Sequence, residues 1–346
     1  MKLKNILLAG LLLLGAAACN DDDKPVFPET PVYDMSGFAK GADVSWLTEM
    51  EKAGNKFYTS TGREMECMSL LRDLGMNAIR LRVWVNPTDG WCNKSDVLVK
   101  AWRAHQLGMR LMIDFHYSDS WADPGQQTKP AAWNSYSLDE LKAAVAGHTE
   151  DVLNALKAQG ITPEWVQVGN ETGNGMLWDE GKADKNMAGY AALTTSGYEA
   201  VKAIFPEAKV IVHLQSGNDN SLYRWLFDGL KENGGKWDVI GMSLYPQADT
   251  WQTMNNECIS NMKDMIERYG SEVILCEVGM PWDDAESCKN FLTDLLAQSK
   301  AITQCLGIFY WEPQSYGSWN GYTLGAFDNS GRPTGALEAF KEQPGL

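Results

Sequence analysis

Between residues 41 and 313 short apolar runs alternate with longer amphipathic stretches. The short runs fall at 41–47, 78–85, 110–117, 165–171, 209–214, 238–245, 272–279 and 306–313. Most are rich in Val, Ile, Leu, Phe or Trp, the composition of parallel strands buried on both faces. The intervening stretches, such as 138–159 and 187–205, space their apolar residues helically and end on glycine or proline. Eight strand-like runs, each followed by a helix-like one, predict an α/β fold: a single (β/α)8, or TIM, barrel over residues 37–346. An open doubly wound sheet shares this alternation, but no Gly-rich phosphate loop follows the first run and eight strands suit closure.

Before residue 37 the pattern is of another kind. Lys2 and Lys4 precede an apolar run, 6–14, and then Gly15-Ala-Ala-Ala18 and Cys19, which reads as an export leader over 1–18. It is too short to span a bilayer stably. The leader resembles a bacterial lipoprotein signal, with Cys19 the residue that would be lipidated and hold the chain on a membrane. The acidic run Asn20-Asp-Asp-Asp23 resembles the export tag of Bacteroides surface lipoproteins, which implies an outer-membrane position facing the exterior. Pro25, Pro28 and Pro31 make 19–36 an extended tether.

With 346 residues and 44% hydrophobic side chains, one large domain can bury a substantial core. The net charge of −15 lacks the basic surface that phosphate neutralisation needs, which argues against nucleic acid as a partner. Besides Cys19 there are six cysteines, an even number, so both disulfides and buried thiols are open. The chain has only four histidines and no Cys-x-x-Cys, which argues against a zinc site. No cofactor is required by this reading, and a monomer is the default.

In a barrel of this kind chemistry sits at the C-terminal strand ends. Polar residues crowd those positions: Asp43 and Ser45, Arg80 and Arg82, Asp114 with His116 and Tyr117, Asn170 and Glu171, His213, Tyr245, Glu277, Trp311 and Glu312. Glu171 and Glu277, at the ends of the fourth and seventh runs, are the pair of carboxylates that glycoside hydrolysis requires. Arg82 and His116 are placed to keep Glu277 ionised, and Asn170 to donate to a sugar 2-hydroxyl. Tryptophan outnumbers phenylalanine, 14 to 10, and Trp84, Trp91, Trp121, Trp133, Trp178, Trp282, Trp311 and Trp319 fall at strand ends or in loops. Flat rings there offer stacking faces for sugars.

Several segments carry a resemblance to glycoside hydrolase family 53, the endo-β-1,4-galactanases, over about 41–340. They are Gly41-Ala-Asp-Val-Ser-Trp46, Asn77-Ala-Ile-Arg-Leu-Arg-Val-Trp84 and the run from Asp114 through His116, Asp119 and Trp121 to Gly125, continuing by Gln127-Thr-Lys-Pro130 to Trp133. Trp165-Val-Gln-Val-Gly-Asn-Glu171, Gly175-Met-Leu-Trp178, Cys276-Glu-Val-Gly279 and Tyr310-Trp-Glu-Pro313 complete it. The resemblance implies a retaining endo-hydrolase of pectic galactan and arabinogalactan, with Glu171 as acid/base and Glu277 as nucleophile. Substrate contacts are expected at Asp43, Arg82, Trp84, His116, Asp119, Trp121, Asn170, His213, Tyr245 and Trp311. Some family members hold calcium in a long loop after the seventh strand; the short 278–288 segment argues against calcium there. Gln247 replaces the family's usual aromatic after Tyr245-Pro246. Strand-end carboxylates alone leave other β-linked polysaccharides open, and a non-catalytic glycan-binding barrel remains the alternative from outside the enzymes.

Overall fold

The computed structural model describes residues 33–341. The leader, Cys19 and most of the expected tether therefore lie outside the described residues. Eight parallel strands close in sequence order: β1 (Ala39–Asp43), β2 (Ala78–Val83), β3 (Arg110–Phe115), β4 (Trp165–Val168), β5 (Lys209–Leu214), β6 (Val239–Leu244), β7 (Glu272–Val278) and β8 (Cys305–Trp311). All eight expected strands are present, and several expected runs overshoot the strand by two or three residues. The overshoot is informative, because Ser45, His116, Tyr117, Asn170, Glu171, Tyr245 and Glu312 then lie on the rim rather than in a ladder.

Two helices, α1 (Leu47–Lys52) and α2 (Cys67–Asp73), join β1 to β2. Single helices join the other strands: α3 (Lys94–Gln106), α4 (Leu138–Ala158), α5 (Ala183–Ile204), α6 (Asn220–Glu232), α7 (Trp251–Tyr269) and α8 (Ala285–Lys300). Only two 3-10 turns, Trp319–Gly321 and Gly335–Phe340, follow β8 among the described residues, so the expected eighth strand–helix unit ends without an α-helix. The Phe340 carbonyl accepts from Lys40 Nζ at 3.2 Å, tying the second turn to β1. The stretch expected at 138–159 is α4, and the one expected at 187–205 is α5, which begins four residues earlier at Ala183. Ser137 and Glu140 form a reciprocal capping box at α4, and Gly270 ends α7 with φ 67°.

Strand alternation separates two cores. Ile79, Leu81 and Val83 face the helices with Ile113, Phe115, Val166 and Val168, while Ala78, Met112, Trp165, Ile211, Val239, Ile274 and Phe309 fill the barrel's lower interior. The Phe309 ring lies across β1, where a Cβ on Gly41 would meet it at 2.1 Å, so Gly41 is required for closure. Above this apolar plug the inward positions turn polar: Asp43, Arg80, Asp114, Gln167, His213 and Ser243, all buried. All six cysteines among the described residues are buried free thiols, which decides between burial and bridging.

Candidate active site

Arg80, on β2 and fully buried, is the hub. Nη1 pairs with Asp43 Oδ2 at 2.8 Å, and Nη2 lies 2.9 Å from Asp114 Oδ2, Asn170 Oδ1 and Glu277 Oε1. Nε donates to Gln167 Oε1 at 2.6 Å. A planar fork with fixed donors is what can bind carboxylates from three strands at once. The partner expected for Glu277 from sequence was Arg82. Arg82 instead pairs with Glu312 Oε1 at 2.9 Å, because two residues along β2 raise its head one level above the carboxylate layer.

Glu277 reaches the site by a break in alternation. Ile274 and Cys276 face the interior, so regular pleating would turn Glu277 toward the helices. The register of β7 shifts against both neighbours: Met242 pairs with Leu275 but Ser243 with Glu277, and a second irregularity against β8 falls between Leu275 and Val278. That bulge flips parity and aims Glu277 inward, while Val278 packs on the helix side. Tyr245 donates to Glu277 Oε2 at 2.8 Å.

Glu171 follows Gly169 and Asn170 at the β4 exit and adopts φ 45°, a left-handed conformation costly for a side-chain-bearing residue. Its backbone N–H points to His213 Nδ1 at 3.4 Å. Its carboxyl is pushed up to about 8, by burial first and the negative charge of Glu277 second, with the Ser243 hydroxyl opposing. Burial also raises Glu277, but there Arg80 and the Tyr245 hydroxyl act against the rise. Two adjacent carboxyls compete for one proton, and it stays on the one that Arg80 compensates less, since Arg80 pairs directly with Glu277 and acts on Glu171 only through space. That carboxyl is Glu171. The pair lines a pocket of about 240 Å³ together with His116, Trp121, Ala122, Asp123, Asn170, Tyr245, Trp311 and Tyr322.

Several expected contact residues are repositioned. His116 is bonded to Asp114 through Nε2 at 3.0 Å, and its Nδ1 accepts from Trp84 Nε1 and Ala122 N, so it supports the site without touching Glu277. Asp43 and His213 are fully buried and do not line the pocket. His213 is held neutral, well below the usual imidazole range, by burial and then by Arg80, and its Nε2 lies 2.8 Å from Ser243 Oγ. Asn170 gives one amide hydrogen to Ala122 O at 2.9 Å and keeps the other. Both Asp119 oxygens accept backbone N–H groups, from Asn86 and Ala131, so this carboxylate braces two loops.

A second cavity, about 690 Å³, adjoins the first and shares Trp121, Trp311 and Tyr322 with it. Trp46, Trp84 and Trp91 complete its aromatic wall. Of the eight tryptophans singled out from sequence, four line it; Trp133 is buried elsewhere, and Trp46 joins from just beyond β1. Gln167, Ser243 and Tyr322 are not singled out by the sequence, and Glu312 is marked there only as a polar strand-end residue. Gln167 had a readable signal, a polar side chain at an inward position of an otherwise apolar strand. Tyr322 had none, since it arrives from a loop after β8.

Two carboxyls in contrasting electrostatic surroundings, on opposite walls of a barrel-mouth pocket beside a tryptophan-lined cleft, define a glycoside hydrolase. Residues 39–340 match the model of glycosyl hydrolase family 53, and the chain belongs to that family. A probable arabinogalactan endo-β-1,4-galactanase A of Neosartorya fischeri is 32% identical over 298 residues, spanning 79% of this chain and 83% of that protein. The arabinogalactan endo-β-1,4-galactanase of Thermothelomyces thermophilus is 30% identical over 333 residues, 87% and 98% of the two chains. Among solved structures, a fungal β-1,4-galactanase superposes with a TM-score of 0.82 at 30% identity, covering 88% of this chain and 99% of its own. The Ignisphaera aggregans GH53 catalytic domain gives a TM-score of 0.79 at 29% identity, with 91% and 97% covered.

Proposed function

We propose that this protein is an endo-β-1,4-galactanase that cleaves galactan and type I arabinogalactan with retention, using Glu277 as nucleophile and Glu171 as acid/base. The observation that carries the roles is the asymmetry of the pair: Glu277 has Arg80 and Tyr245, whereas Glu171 has burial and a neighbouring negative charge. A nucleophile must be ionised and a general acid protonated at the same pH. Glu277 Oε1 or Oε2 bonds to the anomeric carbon as Glu171 gives its proton to the departing glycosidic oxygen. Glu171, now a carboxylate, takes a proton from water, whose oxygen displaces Glu277 from the anomeric carbon. Asn170 has a free amide hydrogen for the 2-hydroxyl beside the reacting centre. The substrate assignment rests on the named activities of the fungal relatives and on the tryptophan-walled cleft.

Digestion of linear β-1,4-galactan, mannan, xylan and cellulose by the wild type, Glu171→Ala and Glu277→Ala tests this reading. Short galacto-oligosaccharides are expected from galactan with the wild type alone. Intact galactan beside release from another polymer would overturn the substrate, and release by Glu277→Ala would overturn the nucleophile.

The leader supports export, Cys19 lipid attachment, and the acidic run after it an outward-facing position on the outer membrane, where polymeric substrate is met. Cys19→Ala should move the activity from the membrane to the soluble fraction. The protein is proposed to act as a monomer without a cofactor. The segment joining β7 to α8 spans only residues 279–284, and among the described residues no three His, Cys, Asp or Glu side chains are grouped to hold a metal.

A further inference from the structure

The larger cavity is walled by five tryptophans, but its polar lining is of one kind. Glu49, Asp89 and Asp119 face it together with Thr88, Ser120 and Asn320, and no lysine or arginine does. Two cations lie close beneath it and are sealed off. Arg82 is 1% exposed and paired with Glu312; Lys100 is fully buried on Asp96 Oδ2 and Ser45 O, each at 2.6 Å. Arg82 Nε and Nη2 are buried without a hydrogen-bond partner among the described residues, and the guanidinium carbon lies 4.3 Å from the Trp121 ring centroid and 5.1 Å from that of Trp84. Its direct partners are therefore Glu312 and the rings that face the cavity, and it reaches Glu49 only through space.

Asp119 is committed to backbone N–H groups. Glu49, half-buried, and Asp89, exposed at the rim, retain oxygens that can accept hydrogen bonds from sugar hydroxyls. A uronic acid in the same place would bring a third carboxylate against these two with no cation in the lining to pair it. Sugar faces would still stack, so shape does not make this discrimination. We propose that Glu49 and Asp89 make this cavity selective for uncharged sugar residues, so that galactan segments carrying uronic acids are refused in the arm of the cleft adjoining the catalytic pocket. This rests on the galactanase reading of the site.

Oxidation of linear β-1,4-galactan at its primary C6 hydroxyls to carboxylates provides the probe. The readout is kcat/KM on oxidised polymer divided by kcat/KM on untreated polymer, for the wild type and for the Glu49→Gln, Asp89→Asn double variant. The ratio should rise about tenfold in the double variant, the effect of removing like charges from the wall of a half-solvated cleft. Salt should raise the ratio in the wild type far more than in the variant. An equal ratio in both proteins, with the same salt response, would overturn the proposal. Wild type that fails on untreated galactan would overturn the substrate reading beneath it.

Discussion

The catalytic pocket and the tryptophan cavity sit side by side over two arginines that are two residues apart on β2, and they solve opposite problems. Around Arg80 every nitrogen meets an oxygen, from Asp43, Asp114, Gln167, Asn170 and Glu277. Around Arg82 one carboxylate, Glu312, is joined by four tryptophan faces, and two nitrogens have no hydrogen-bond partner. The first arrangement fixes charge, since a buried carboxylate with a guanidinium beside it is favoured in its ionised form and held in place. The second fixes surfaces, since a cation behind aromatic rings orients them without offering a donor to the cleft. On the proposed reading, chemistry belongs to the Arg80 side and sugar selection to the Arg82 side.

The largest expected effect breaks the first side outright. Glu277→Gln should abolish turnover while galacto-oligosaccharide affinity, measured calorimetrically, is kept. It should also bring the Glu171 titration below about 8, because the neighbouring negative charge goes and burial remains. A Glu171 pKa unmoved in that variant, read by NMR of labelled glutamate, would show that the two carboxyls do not interact.

The paired substitutions Arg80→Lys and Arg82→Lys come next. Arg80→Lys keeps charge but loses the fork, and kcat should fall about tenfold to a hundredfold with KM little changed, the worth of one or two charged hydrogen bonds. Arg82→Lys should leave kcat nearly intact and raise KM by about threefold to tenfold as the rings lose their backing. The same split between kcat and KM in both variants would erase the distinction between the two sides.

A smaller effect concerns pH. The Tyr245 hydroxyl stabilises ionised Glu277, so Tyr245→Phe should raise that carboxyl and move the acid limb of kcat/KM upward by about one unit. The alkaline limb, where activity is lost as Glu171 gives up its proton near pH 8, should move little. The smallest expected effect is none: exhaustive chelation should change neither activity nor Tm.

How far the sequence could be read follows the same division. Strand and helix alternation was visible because parallel strands buried on both faces make apolar runs, and the two glutamates were visible because polar residues end those runs. The choice between Arg80 and Arg82 was not. It depends on how deep each head sits inside the barrel, which strand tilt and closure set and residue order does not. Glu277 illustrates the limit further, since its inward aim comes from a bulge that no pattern of types in 272–279 announces. His213 and Asp43 look like substrate contacts in one dimension and prove to be the buried support of Gln167, Asn170 and Arg80. Trp46 lies just past a strand end and joins the cavity because Glu312 accepts from its backbone N–H at 3.0 Å.

The division of labour between Glu277 and Glu171 is tested most directly by proton NMR of the first reducing ends released from linear β-1,4-galactan. The account predicts β-anomers at early times, relaxing to the α/β mixture only by mutarotation. Early α-anomers would mean that water, and not Glu277, attacks the anomeric carbon, and the account would be wrong at its centre.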